Sequence, residues 1–195
     1  MTEHLVRTVP PQDRHRVTAT LVLAFSTDPM SRWSLPDPSV FLANFPDLVR
    51  AFSGSAFEDA SAYATPDYCG AAVWLRPGRA SDVDALIGVL QKAMSPDRFE
   101  QGGALFEQME AFHPREPHWY LPLIGVDPAH QGRGYGARLM NHALQECDRS
   151  RMPAYLESSN PKNVPFYTSF GFEVMGEIQS GTSPVMYPML RRAKG

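Results

Sequence analysis

Six residues, Gln131-Gly132-Arg133-Gly134-Tyr135-Gly136, separate two contrasting runs. Before them, His118 to Val126 is apolar and aromatic; after them, Ala137, Leu139, Met140, Ala143 and Leu144 recur at helical spacing. This stretch constrains the fold more than any other, because it orders a strand, a glycine-rich turn and a helix. Glycines in such a turn let the backbone approach a ligand with no Cβ in the way. The turn also leaves amide N–H groups free at the mouth of the helix, where the positive end of the helix dipole favours an anion. Arg133 adds a cation inside the turn. The pattern predicts a phosphate-binding turn.

Which phosphate ligand is a question of spacing. No Gly-Lys-Ser/Thr follows, so a Walker loop is excluded. Gly132, Gly134 and Ala137 fit G-x-G-x-x-A, the dinucleotide pattern, and leave a nucleotide-binding oxidoreductase as one reading. A Rossmann turn starts its glycines almost directly off the strand, however, and here Asp127, Pro128, Ala129, His130 and Gln131 intervene. The third reading is Gln-x-x-Gly-x-Gly, which resembles the coenzyme A signature of the GNAT superfamily of N-acetyltransferases.

Downstream residues extend the resemblance. Pro153 to Ser158 reads as a strand, and Asn160-Pro161-Lys162-Asn163 as a turn able to cap a helix. Val164-Pro165-Phe166-Tyr167 opens a short helix, and Gly171-Phe172 ends it. In GNAT proteins such a helix carries a tyrosine followed by Gly-Phe, and Tyr167 with Gly171-Phe172 resembles that element. Ala72-Val73-Trp74, Glu116-Pro117-His118-Trp119, His130-Gln131-Gly132, Tyr155-Leu156-Glu157 and Asn163-Val164-Pro165-Phe166-Tyr167 are similar to the branch that includes puromycin N-acetyltransferase. The implied fold is a single α/β domain. It has a mixed central sheet of about six to seven strands between helices, splayed at its central strand.

Composition sets the outer bounds. The chain has 195 residues, 43% hydrophobic and 20% charged, enough for one domain with a full core. A net charge of −3 gives no electrostatic reason to expect nucleic acid. Cys69 and Cys147 suggest neither a disulfide framework nor a metal site, and the histidines form no His-x-x-x-His pair, so no metal is expected. No apolar run approaches the roughly 18 residues of a membrane span, and no signal peptide is recognised. The expectation is a cytoplasmic protein, monomeric or homodimeric, away from membranes.

Along the chain, His4 to Val9 reads as a first strand. Asp13 can cap a helix bearing Val17, Leu21, Val22 and Phe25, closed at Asp28-Pro29. Ser39 can cap a second helix whose apolar face is Phe41, Leu42, Phe45, Leu48, Val49 and Phe52. Phe57 to Ala64 and Gly70 to Leu75 read as a strand pair around Thr65-Pro66-Asp67. Residues 81–112 look helical, in two pieces split near Ser95-Pro96-Asp97. Against the GNAT pattern they are an insertion on the acceptor side. His118 to Val126, Tyr155 to Ser158, Phe172 to Ile178 and Val185 to Leu190 complete the strands, with a helix from Gly134 to Arg149. Pro122 and Gly125 argue against an unbroken ladder in the central strand.

The resemblance implies acetyl transfer from acetyl-CoA to a primary amine of a small molecule, by direct attack in a ternary complex. Acetylation of a protein amine, or a non-catalytic acyl-CoA-binding sensor, are the alternatives. Amines must lose a proton, the leaving thiolate must gain one, and the oxyanion needs donors. Tyr167 is the expected acid, since its phenol is protonated at neutral pH. Glu157 is the first candidate base and His118 the second, because no glutamate lies between His118 and Val126 where many GNAT enzymes place one. Ile124, Gly125 and Val126 would meet the oxyanion and pantetheine, and Gln131, Gly132, Arg133, Gly134, Tyr135, Gly136 and Ala137 the pyrophosphate. Asn160 and Asn163 either contact the pantetheine or cap a helix. Phe25, Asp28, Trp33 and Trp74, with His118 and Tyr120 on the central strand, are candidate acceptor-binding residues.

Overall fold

The computed structural model describes residues 6–194. Strand β1 (Arg7–Thr8) stops before Pro10 and Pro11, which have no N–H for a ladder. His4 and Leu5 of the expected first strand lie outside the described residues. Asp13 stands at the start of α1 (Arg14–Phe25) without capping it; its carboxylate accepts from Tyr68 Oη instead. Asp28-Pro29, read from sequence as an end, is a beginning. Asp28 Oδ1 accepts from Ser31 N at 2.9 Å, and Pro29 fills the first position of α2 (Pro29–Ser34). Similarly Asp37 caps α3 (Pro38–Ser53), in place of Ser39, accepting from the amides of Ser39 and Val40 at 2.8 and 3.0 Å.

After α3 the chain turns through Gly54 and Ala60, both at positive φ, tied by Ser55 Oγ donating to Asp59 Oδ2 at 2.6 Å. That turn shortens the strand expected from Phe57 to β2 (Ala62–Ala64). Next come β3 (Gly70–Leu75), α4 (Val83–Ala93) and α5 (Pro96–Phe112), the two helices parted at Ser95 as the sequence predicts. Then follow β4 (Trp119–Val126), α6 (Tyr135–Ser150), β5 (Ala154–Ser158) and α7 (Val164–Thr168). The expected strand from Phe172 to Ile178 survives as β6 (Glu173–Val174) plus one bridge from Ile178 to Met186, and β7 is Tyr187–Arg191.

The strands form one mixed seven-stranded sheet in the order β1-β2-β3-β4-β5-β7-β6. Period-2 alternation sends side chains to two cores. Val73, Leu75, Tyr120 and Leu123 face α1 and α3, where Leu21, Phe41, Phe45 and Leu48 meet them. Ala72, Trp74, Trp119 and Leu121 face α6, whose Leu139, Met140, Ala143, Leu144 and Cys147 form its buried stripe. A smaller cluster, Leu105, Ile178 and Met186, ties α5 to the segment before β7.

Two irregularities open the middle of this sheet. Val73 pairs with Leu123 and Leu75 with Tyr120, so β4 spends one extra residue opposite Trp74, next to Pro122. The parallel pair β4–β5 holds only at Trp119↔Ala154 and Tyr120↔Tyr155, although both strands continue. Beyond Tyr120 they diverge, and a cleft lies between them. The splay expected at the central strand is present.

Burial has a consequence for alkaline stability. Desolvation pushes the Tyr63 phenol and the Cys147 thiol each up to about 12, and raises Tyr120, Tyr155 and Tyr167 as well. These groups hold their protons in the fold but release them in the unfolded chain near their ordinary values of 9.0 for thiol and 10.0 for phenol. Their contribution is therefore complete below about pH 9 and falls as pH rises towards about 12. Thermal unfolding followed between those limits should show a steadily falling midpoint; a midpoint that holds constant would contradict the burial of these groups.

Candidate active site

The cleft between β4 and β5 has a volume of about 990 Å³ and runs from the start of α6 to a lobe beneath α2, α3 and α5. At one end lies the glycine turn. Gly132 and Gly134 have φ near +75° and +77°, and a Cβ on either would meet nothing within 4 Å, so the backbone there is open. Arg138 N is the first helical donor, to Gly134 O at 3.1 Å. The amides of Tyr135, Gly136 and Ala137 before it have no helical acceptor, and all three residues line the cleft. The turn is braced from β3's side by Tyr135 Oη donating to Asp67 Oδ2 at 3.0 Å. Hydrogen bonding from Thr65, and then from Cys69 N and Tyr135, holds the Asp67 carboxyl well below its usual range.

Along the cleft wall, β4 presents backbone. Asp127 N donates to Cys69 O of the β3 side at 2.8 Å. Alternation then directs Gly125 N towards β3 and turns the N–H groups of Ile124 and Val126 into the gap. Gln131 Nε2 reaches Val126 O at 3.3 Å and fastens the turn to the strand. Gly125 therefore serves as a contact surface: a Cβ on it would lie 2.4 Å from Ala24 Cβ of α1. Its missing side chain lets α1 sit on the sheet.

Tyr167 sits on α7 with only 8% of its surface exposed and lines the cleft. Its ring packs edge-on against Phe166 and Phe172, and its hydroxyl makes no hydrogen bond to any described residue. Burial, with the nearby Asp28 charge, raises its pKa, so the phenol stays protonated. Asp28 is committed elsewhere: besides capping α2 it accepts from Ser159 Oγ at 2.6 Å, tying the α1–α2 corner to the end of β5. It lines the cleft as a structural tie.

Glu157 projects from β5 into the cleft, its side chain 5% exposed. Tyr120 and Tyr155 lie close enough for the carboxylate to raise both phenols further, after burial itself. Neither Glu157 Oε1 nor Tyr155 Oη has a well-directed hydrogen bond. The two phenols are the donors nearest to the carboxylate, and Oε1 is left without a well-aligned one. His113, at the end of α5, comes within 3.8 Å of that oxygen through Nδ1.

The other expected residues separate. Phe25, Trp33 and Tyr120 line the cleft with Asp28 and Glu157. Trp74 does not: it is fully buried on the α6 face, because it alternates with Val73 and Leu75, which face α1 and α3. His118 is half-buried outside the cleft, and Arg133 is exposed beyond its rim. Asn160 lines the cleft and also accepts from Lys162 N at 3.1 Å, whereas Asn163 makes no cap bond. Asn160 is thus a cap that also faces the cleft. Met30, Met94, Phe106 and Met109 of the apolar lobe carry no sequence signal as site residues, and Phe45 and Phe52 were expected only as a helix's apolar face. The helical pattern of 81–112 was the only signal that bears on three of them.

A free-amide turn at a helix start, a splayed pair of parallel strands and a tyrosine helix together wall one cleft. Comparison with known proteins decides the family: residues 42–172 match the acetyltransferase (GNAT) family model. This chain belongs to the GNAT acetyltransferase family. An uncharacterized N-acetyltransferase of Schizosaccharomyces pombe is 26% identical over 180 residues, 84% of this chain and 72% of that protein. The L-methionine sulfoximine/L-methionine sulfone acetyltransferase of Salmonella typhimurium is 34% identical over a short stretch of 58 residues, 28% of this chain and 34% of that protein. Among solved structures, the Corynebacterium glutamicum histone acetyltransferase HPA2 and related acetyltransferase superposes with a TM-score of 0.69 at 23% identity, covering 97% of this chain and 96% of that one. The Drosophila melanogaster polyamine N-acetyltransferase gives 0.66 at 12%, covering 96% and 98%. At such identities the structural likeness speaks for the GNAT fold.

Proposed function

We propose that this GNAT protein transfers acetyl from acetyl-CoA to the primary amine of a small molecule with an apolar body, by direct attack within a ternary complex. The observation that carries this reading is one cleft whose walls include the free-amide turn, the apolar side chains of α2, α3 and α5, and both Tyr167 and Glu157. The residues present suit the coenzyme. The amides of Tyr135, Gly136 and Ala137 would hold the pyrophosphate, the open glycines leave it room, and Lys162 on the opposite rim offers a cation. Ile124 and Val126 N–H would hold the pantetheine arm in the strand gap. When bound, the coenzyme supplies an activated acyl thioester.

The chain's residues do the rest. Glu157 takes a proton from the acceptor ammonium, and Tyr167 donates one towards the sulfur. Leu90, Met94, Leu105 and Phe106 of the 81–112 helices and Phe45 of α3 exclude water from the acceptor end. Among the described residues lining the cleft the only acids are Glu157 and Asp28, and Asp28 is held by Ser31 and Ser159, which favours a monoamine over a polyamine. Acceptors of the kind handled by the puromycin N-acetyltransferase branch, a primary amine beside an aromatic body, fit these walls. Enclosure by α2, α3 and α5 favours a small acceptor over a protein segment.

Thermal unfolding with acetyl-CoA, CoA or NAD, followed by a thiol-release screen of amines, tests the reading. A native-state ligand at about 100 times its dissociation constant adds roughly 2.7 kcal/mol. Both CoA forms should raise the midpoint and NAD should not, and arylalkyl monoamines should release thiol faster than spermidine. Stabilisation without turnover of any amine would favour an acyl-CoA sensor; no stabilisation by either CoA form would sink the proposal.

A further inference from the structure

We propose that His113 and His118 form a relay that carries the acceptor's proton from Glu157 to solvent. This rests on the acetyl-transfer reading above and supplies a step that reading leaves open. An amine that arrives as R–NH3⁺ and leaves as an amide, with the coenzyme leaving as a thiol, releases one net proton per turnover. Tyr167 gives a proton to sulfur and regains one as the amide nitrogen loses its second. The proton taken by Glu157 therefore has to leave by another way, and the Glu157 side chain is 5% exposed.

The partners of the two rings define the path. His118 Nδ1 lies 2.8 Å from Glu116 O, and a carbonyl only accepts, so His118 carries its proton on Nδ1. Burial lowers the His118 pKa, which keeps the resting ring neutral and its Nε2 bare. His113 Nε2 is 3.0 Å from that bare nitrogen and must donate to it. In neutral His113 this leaves Nδ1 as an acceptor, and Nδ1 faces Glu157 Oε1 at 3.8 Å. That separation is longer than a hydrogen bond and is closed by a small carboxylate rotation or spanned by one water. Glu157–COOH passes its proton to His113 Nδ1, restoring the carboxylate. His113 then gives its Nε2 proton to His118 Nε2, and His118 releases its Nδ1 proton at the surface. Each passage leaves both rings in the opposite tautomer, and exchange with water between turnovers, which adds a proton at one ring nitrogen and removes one from the other, resets them.

The surroundings favour this direction. Tyr120 from β4 and Tyr155 from β5 flank the rings, with His113 centroids 5.0 and 4.9 Å from theirs. Both phenols are held neutral by burial. Glu116 lies beside His118, and Glu110 of α5 acts on Tyr155, so the carboxylates nearby all favour a passing cation. His113 directly follows Phe112 as the C-cap of α5, so the end of that helix contributes to proton handling as well as to the acceptor wall.

The test combines histidine NMR with pH–rate profiles. In ¹⁵N-histidine spectra, neutral His118 should be the Nδ1–H tautomer and neutral His113 the Nε2–H tautomer. Because the relay acts through Glu157, adding His113→Gln to Glu157→Gln should slow the reaction no further. His113→Gln should unfold at the wild-type midpoint and respond normally to CoA. Its kcat should fall about 10²-fold at neutral pH, its acid limb should shift towards a carboxylate's range, and added imidazole should restore part of the rate. A uniform rate loss with an unchanged pH profile would assign His113 a packing role and overturn the relay. A further rate loss in the double variant would overturn it, and opposite tautomers would overturn it independently of activity. A wild-type protein that acetylates no amine would end the acetyl-transfer reading, and the tautomers would still decide whether the proton path is built.

Discussion

Tyr167→Phe should lower kcat by about 10²- to 10⁴-fold, the usual weight of a positioned proton donor, while changing the affinity for acetyl-CoA little. The substitution is clean because the two roles of Tyr167 are separable. Its ring is wedged between Phe166 and Phe172, with centroids 5.3 and 6.3 Å away, and phenylalanine preserves those contacts. Its hydroxyl has no partner among the described residues, so deleting it strands no donor or acceptor, and the unfolding midpoint should stay within experimental error of wild type. Burial and the Asp28 charge raise the phenol above its ordinary value of 10.0. It is therefore a competent donor at every practical assay pH, and any alkaline limb in the rate belongs to another group. Single-turnover measurement with saturating acetyl-CoA separates chemistry from binding. An unchanged kcat would mean that solvent protonates the sulfur and that Tyr167 only packs.

The parts of this site legible in the sequence are those written in local signals. Gly132, Gly134 and Gly136 are spaced for a turn, and the stripe from Leu139 to Cys147 has helical period, so β4, the turn and α6 fall within a residue or so of expectation. Tyr167 was findable because Pro165 and Gly171 bracket its helix. What escaped depends on distant partners. Trp74 reads equally well on either face of β3, and only the packing of α6 against Ala72 and Leu121 sends it away from the cleft. Asp28 has the same local appearance as a stop and as a cap; Ser159, 131 residues away, completes its role. His113 carries no motif, and it matters because α5 ends where β4 and β5 begin to part. The splay itself was half legible. Pro122 announces the irregularity, but the extra residue opposite Trp74 is a matter of register between strands.

Gly125→Ala should be the most disruptive single-methyl change in the cleft, and Ala24→Gly should reverse much of it. The added Cβ would lie 2.4 Å from Ala24 Cβ and 3.4 Å from Leu21 Cδ2. Leucine can rotate, but both Cβ atoms of the closer contact are fixed to backbone, so relief requires α1 to lift from β4. Overpacking of this kind costs about 1–3 kcal/mol. In a chain of this size each kcal/mol lowers the unfolding midpoint by about 2–4 °C. Lifting α1 would also displace Phe25 and the Asp28–Ser159 tie at its end, so acceptor KM should rise along with the loss of stability. Ala24→Gly alone should cost about 1 kcal/mol, the usual penalty of glycine within a helix. The double variant should nevertheless be more stable than Gly125→Ala alone, since the colliding methyl is gone. That sign of coupling distinguishes a packing contact from a backbone kept bare for a ligand. If Gly125→Ala left the midpoint unchanged and raised only the KM for acetyl-CoA, the glycine would be serving the coenzyme directly and the assignment to α1 packing would be wrong.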